Sequence, residues 1–249
     1  MESELYLIPG VLENAQAVVR ELRAEYDALR HKRPDGLLTL MHATFGLYAN
    51  PRRVSRARRP QFTSSSSAEI GVRVHSELER ASNGAQVPDP HLFTQQIADY
   101  IRDQGWAVIA AEVPIVVPEL NMYTRADLLL FDMHLNRVLL VETKTGSDIG
   151  RRARLVSRTA HLGLPDAQVR DSHYARAHLQ LAWMFAALSA RAFKVEPIVL
   201  LANALHGVRV ERLAGWARRN ARHIFGAVAA HRRSQRIAAG SISSGDANK

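Results

Sequence analysis

The chain has 249 residues, 47% of them hydrophobic, enough to bury the core of one large domain. Lys and Arg outnumber Asp and Glu by 33 to 24, a formal charge of +9, so the folded surface attracts polyanions, with nucleic acid the leading class. No cysteine is present, which excludes disulfides, thiolate zinc sites and cysteine-ligated iron–sulfur clusters; any metal must be held by oxygen or imidazole.

The N-terminus has acidic residues ahead of a short apolar stretch and lacks a basic leader region. No window reaches ~18 uninterrupted apolar residues. An intracellular protein, cytoplasmic or nuclear, without a membrane partner is therefore expected. Residues 11–30 carry Val11, Leu12, Ala15, Val18, Val19, Leu22 and Leu29 at helical spacing and predict an amphipathic helix. Residues 50–67 read as irregular, with the basic run Arg52, Arg53, Arg56, Arg58 and Arg59 followed by Ser64 to Ser67 at a helix start. A helix over 67–81 is predicted from Ile70, Val74 and Leu78, with Gly71 permitting close approach of another backbone. A second helix spans 91–104.

The period then shortens. Residues 106–117, 125–133 and 137–145 are β-rich runs divided by turn residues and read as three consecutive strands. A basic loop over 146–171, a helix over 172–190, strands at 196–202 and 207–212 and a helix over 214–232 follow. The polar end reads as disordered. The expected organisation is a helical or irregular extension over 1–63, a main domain over 64–233 and a tail over 234–249. The expected class is α/β, a mixed central β-sheet flanked by helices on both faces.

Chemistry concentrates in the run Val-Glu-Thr-Lys. Glu142 and Lys144 are two apart on a strand and emerge on one face at the end of an apolar run. Asp127 opens the preceding strand, and the turn around Leu135 and Asn136 predicts an antiparallel hairpin. In one register Asp127 faces Lys144 and in another Glu142; a one-residue slip sends it to the opposite face. Two converging carboxylates and an ammonium suit a hard divalent cation, Mg²⁺ or Mn²⁺, whose remaining positions go to water and phosphate. The lysine can then orient the attacking water and stabilise developing charge. An ordinary cross-strand salt bridge is the plain alternative.

With Gly71 and His75 in a helix, Glu112 on a strand, Asp127, then Glu142-Thr143-Lys144, and Gln180 on a later helix, the chain resembles the RecB-like branch of the PD-(D/E)XK nuclease superfamily over about residues 64–203. The resemblance implies a restriction-endonuclease-like core of one helix, three strands, a helix and a strand. It also implies that Asp127, Glu142 and the Thr143 carbonyl bind metal, that His75 adds an imidazole ligand, and that Lys144 serves the nucleophilic water. Two departures stand out: Arg125 and Ala126 precede Asp127 where the family has glycine, and Met184 follows Gln180 where an aromatic is usual.

Other roles stay open. His75 is a ligand or a satisfied helix histidine; Glu112 binds a second cation or pairs with an arginine; Gln180 contacts phosphate or metal-bound water, or is an ordinary helix-surface residue. Arg151, Arg152, Arg154 and Arg158 clamp a nucleic-acid backbone or are merely solvated. The expectation is a metal-dependent nuclease acting on DNA ahead of RNA. Its rivals are a catalytically silent nucleic-acid-binding module and a structural subunit of a repair or replication assembly with protein partners. The intact set of Asp127, Glu142 and Lys144 favours the enzyme, because a silent module has no need of costly converging charges.

Overall fold

The computed structural model describes residues 10–32, 35–45, 67–145, 158–161, 164, 170–171 and 173–243. The first described element is α1 (Val11–Arg30), capped by Gly10, whose φ of 102° suits glycine and whose amide donates to Glu13 Oε2 at 3.0 Å. A two-residue strand β1 (Asp35–Gly36) and α2 (Leu37–Phe45) follow, neither of which was expected. Next come α3 (Ser67–Ser82), α4 (Leu92–Asp103), β2 (Trp106–Val117), a 3₁₀ turn (Pro118–Leu120), β3 (Met122–Asp132) and β4 (Arg137–Thr145). The segment expected to be a basic loop carries two short strands, β5 (Arg158–His161) and β6 (Arg170–Asp171), paired antiparallel. The last described elements are α5 (His173–Ala190), β7 (Glu196–Asn203), β8 (Gly207–Arg212), α6 (Gly215–Arg219) and α7 (Ala221–Ser243). The last helix therefore runs past residue 234, where a disordered tail was expected, and its Arg232 Nε donates to Leu120 O at 3.2 Å.

The main sheet is mixed. β2, β3 and β4 form an antiparallel meander, β4 and β7 pair in parallel, β8 returns antiparallel, and β1 pairs in parallel with the start of β3. The parallel step needs a crossover, and α5 provides it. Both faces of β4 are buried. Val138 and Leu140 join Ala15, Val19 and Leu22 of α1, Met41 of α2, Trp183 of α5 and Val228 of α7 in one cluster; Leu139 and Val141 join Val74 and Leu78 of α3 and Phe93, Ile97 and Ile101 of α4 in another. That double burial explains why the strand sequence is a near-continuous apolar run rather than an alternation. The α/β class with helices on both faces is as expected, and α1 shares the sheet's own core rather than standing apart from it.

Two buried carboxylates organise the frame. Asp132 ends β3 and accepts from the amides of His134 (3.2 Å) and Leu135 (3.1 Å) and from Arg137 Nε (3.1 Å), closing the β3–β4 turn with Asn136 at φ 46°. Glu77 of α3 accepts from Arg73, from the His91 amide (2.8 Å) and from Thr94 Oγ1 (2.6 Å), so one helix caps the N-terminus of the next. Burial pushes the Glu77 carboxyl up, but these donors together outweigh it and hold the group below its ordinary value. Among the described residues no helix is long and apolar enough to cross a membrane.

Candidate metal centre

Val74 and Leu78, one helical turn apart, fix α3 on the sheet; burying each contributes roughly 1.5–3 kcal/mol. His75 follows Val74 and is rotated about 100° around the axis, which turns it toward the β2 side of the site rather than into the core. Its Nδ1 lies 3.1 Å from Glu112 Oε1 and 3.3 Å from Asp127 Oδ1, and its Nε2 lies 3.3 Å from Thr143 Oγ1. Nδ1, a Glu112 oxygen and an Asp127 oxygen all fall within 4.8 Å of one another. Ionised carboxylates only accept hydrogen bonds, so a proton on Nδ1 holds this group together. The Glu112 hydrogen bond, with the Asp127 charge, raises the His75 pKa despite burial. A position that draws a proton between two carboxylates is one that a divalent cation also satisfies.

Glu112 reaches this position by an uncommon backbone. It stands in the middle of β2 at φ 48°, a left-handed conformation that side chains other than glycine, asparagine and aspartate seldom adopt. Such strain, on the order of 1–3 kcal/mol, persists where the surroundings impose it and is a pointer to function. Its second oxygen lies 3.8 Å from Arg125 Nη1, so Glu112 takes part both in an arginine pair and in the histidine–carboxylate group.

The hairpin register settles the alternatives left by the sequence. Asp132 pairs with Arg137 and Leu128 with Val141, the register that directs Asp127 toward Glu142 rather than Lys144. The ladder stops at Leu128–Val141, one residue short of Asp127. Beyond it the Asp127 carboxylate bonds across to β4, accepting from the Thr143 amide at 2.5 Å and Thr143 Oγ1 at 2.8 Å. Asp127 thus belongs to the group with His75 and Glu112, and Glu142 with Lys144 forms an adjoining set that the Asp127 charge reaches.

In the second set Lys144 Nζ donates to Glu142 Oε1 at 2.5 Å. Glu142 is 2% exposed, and its Oε2 is buried without a hydrogen-bond partner among the described residues. Burial, reinforced by the Asp127 charge, pushes the Glu142 carboxyl up to about 7, although Lys144 and His75 pull it down. Burial works against the Lys144 charge, but Glu142 and Asp127 hold that ammonium above its ordinary pKa. The donor set therefore fits a divalent cation: two carboxylates and an imidazole converge beside a carboxylate oxygen with no partner.

Gln180 of α5 stands at the same end of the sheet, its Nε2 3.5 Å from Arg125 O. Among the described residues no other backbone approaches Gly71 closely, as a Cβ there would meet nothing within 4 Å. It borders instead a cavity of about 360 Å³ over His75, Ser76, Glu79 and Glu112. Arg158 begins β5, pairing with Asp171; Arg151, Arg152 and Arg154 lie outside the described residues. Sequence reasoning undervalued Arg125 and passed over Tyr26. The guanidinium of Arg125 lies 5.8 Å from the Tyr26 ring centre, and no local pattern signals a contact between α1 and β3. In comparisons with known proteins, no family model and no curated protein matches the chain.

Proposed function

We propose that the protein is a metal-dependent nuclease of PD-(D/E)XK type that hydrolyses phosphodiester bonds of DNA, with RNA the lesser substrate. The observation that carries this reading is the meeting of His75 Nδ1, Glu112 and Asp127 within 4.8 Å, beside a buried Glu142 oxygen that has no partner. Asp127, Glu112 and His75 would hold the cation, and Glu142 would turn its free oxygen to it. Mg²⁺ or Mn²⁺ fits the carboxylates, and the imidazole favours Mn²⁺ of the two. When bound, such a cation activates a water and offsets charge on the phosphoryl group.

The protein's own groups supply the rest. Lys144 is held by Glu142 with its ammonium charged and partly exposed, so it can donate to the attacking water or to a phosphoryl oxygen. Thr143 anchors Asp127 through two hydrogen bonds, fixing the carboxylate's orientation. The surplus of Lys and Arg draws the polyanion to the surface. Protein partners in a repair or replication assembly, and a cytoplasmic or nuclear setting, go with this reading.

The test is incubation of the purified protein with circular and linear DNA, with Mn²⁺, Mg²⁺ or EDTA, beside Asp127→Asn. Calorimetric titration of Mn²⁺ into both proteins is run in parallel. Cleavage that needs metal and is lost in the variant together with Mn²⁺ binding supports the proposal. Mn²⁺ binding without cleavage of any substrate would leave the silent nucleic-acid-binding module, and absence of both would refute the metal centre.

A further inference from the structure

A second cavity, about 290 Å³, adjoins the first and shares Glu79 and Glu112 with it. Its lining brings together three elements far apart in sequence: Arg23 and Tyr26 of α1, Asn83 just after α3, and Arg125 of β3. The Glu112 carboxylate is at once a wall of this cavity and a member of the histidine–carboxylate group. Any chain whose phosphate lies at that group therefore places a neighbouring unit within reach of the cavity.

The walls are built rather than incidental. Arg191 grips α1 by a two-point contact with Glu25, at 2.8 and 2.6 Å, and its Nη2 also donates to Val116 O at 3.1 Å, locking the helix to β2. Tyr26 packs against Tyr123 with ring centres 4.9 Å apart, and the Arg125 guanidinium lies 5.8 Å from the Tyr26 ring. Arg125 is half exposed, and its pair with Glu112 is loose at 3.8 Å. Arg23 is exposed and makes no ion pair among the described residues. The cavity thus presents two cations and an aromatic ring among the carboxylates of Asp27, Glu79 and Glu112, and Glu112 is shared with the cation group.

Resting on the nuclease reading, we infer that this cavity holds one unpaired nucleotide adjoining the phosphate to be cut, Arg23 and Arg125 taking its phosphate and Tyr26 its base. Two features select an unpaired unit over a duplex. The volume lies just below the roughly 300–1,000 Å³ of small-molecule pockets and matches a single nucleotide unit better than a base pair. An aromatic ring beside arginines is the usual platform for single-stranded nucleic acid, because every base offers a face to stack. The preferred substrate is then single-stranded DNA, or a frayed or overhanging end.

The experiment measures fluorescence anisotropy of labelled oligothymidine and of a blunt duplex of equal length, in EDTA so that nothing is cut, for the wild type, Arg23→Gln, Arg125→Gln and Tyr26→Leu. Circular dichroism checks the fold; Arg23 is a surface residue, so its variant keeps the test valid if another misfolds. The expected result is wild-type preference for the single strand by about tenfold. Each arginine variant flattens the plot of log affinity against log salt by about 0.7. Tyr26→Leu weakens single-strand binding about 5-fold or more. Duplex binding stays as it was. Equal binding of both forms by the wild type, or single-strand binding unchanged in Arg23→Gln, overturns the inference. The two readings fail separately: loss of metal-dependent cleavage with the EDTA pattern intact refutes the nuclease, whereas metal-dependent cleavage without the single-strand preference refutes the cavity's role.

Discussion

Asp132 and Glu142 are buried carboxylates at opposite ends of one β-hairpin, 3% and 2% exposed, yet their surroundings are unlike. Asp132 has two amides and an arginine for its two oxygens and serves to close the turn. Glu142 has a lysine on one oxygen, nothing on the other among the described residues, and a second carboxylate nearby that makes its charge harder to bear. Glu77, between α3 and α4, resembles Asp132 in having a donor for each oxygen. Burial alone therefore does not mark function; an unbalanced set of buried charges does, because a fold gains nothing from it.

The largest difference between the two ends should appear in catalysis. Lys144→Ala is expected to lower metal-dependent cleavage by ~10²–10³ while the unfolding midpoint stays near the wild type's. Arg137→Ala, at the closed end, should leave the rate within about twofold. Equal losses from the two would erase the functional distinction between the ends.

The next largest effect is a pH dependence at Glu142. Its folded pKa, about 7, is above the unfolded value, so the metal-free fold binds the extra proton and is favoured at low pH; that contribution is lost as pH rises from about 4.5 through about 7. Denaturant unfolding in EDTA should show Glu142→Gln gaining on the wild type over this range, by on the order of 3 kcal/mol at full extent. A constant difference between the two proteins would show that the carboxyl titrates normally.

His178 sharpens the comparison from outside the site. It is fully buried on α5, accepts from the Ala214 amide at 3.2 Å, and has no partner on Nε2 among the described residues. Burial lowers its pKa to about 4, so its sign is the reverse of Glu142's: stability is present above pH 6.5 and is lost as pH falls toward 4. His178→Gln, which keeps an acceptor, should remove up to about 3 kcal/mol of acid sensitivity without altering cleavage at pH 7.5. An unchanged acid limb would assign that sensitivity elsewhere. The smallest effect is expected at Glu77. Glu77→Ala leaves the buried Thr94 hydroxyl and the His91 amide without an acceptor and should cost about 2 kcal/mol in urea unfolding, with Mn²⁺ affinity preserved. Loss of Mn²⁺ affinity in that variant would mean that α3 positions His75 only when its far end is capped.

The sequence by itself determined the α/β class, nearly every helix and strand of the 67–145 region, and the residue types of the site. Those signals are local: a 3.6-residue period in α3 and α4, β-branched runs in β2 to β4, and turn residues between them. It missed α2, although Leu37, Leu40, Met41 and Phe45 follow helical spacing in a short apolar run, and it missed the β5–β6 pair and the extent of α7, where the sequence is polar and apolar spacing weak. Only the tertiary structure decided the grouping of the site. The register of β3 on β4 ends one residue short of Asp127, and there Thr143 holds one oxygen of that carboxylate while the other meets His75. The backbone of Glu112 turns left-handed to meet them. His75 and Asp127 are brought together by packing of Val74 and Leu78 of α3 against the sheet, and Tyr26 meets Arg125 because Arg191 ties α1 to β2. Each of these is a contact between segments distant in sequence, and its energy depends on the packed whole, so no run of neighbouring residues carries it.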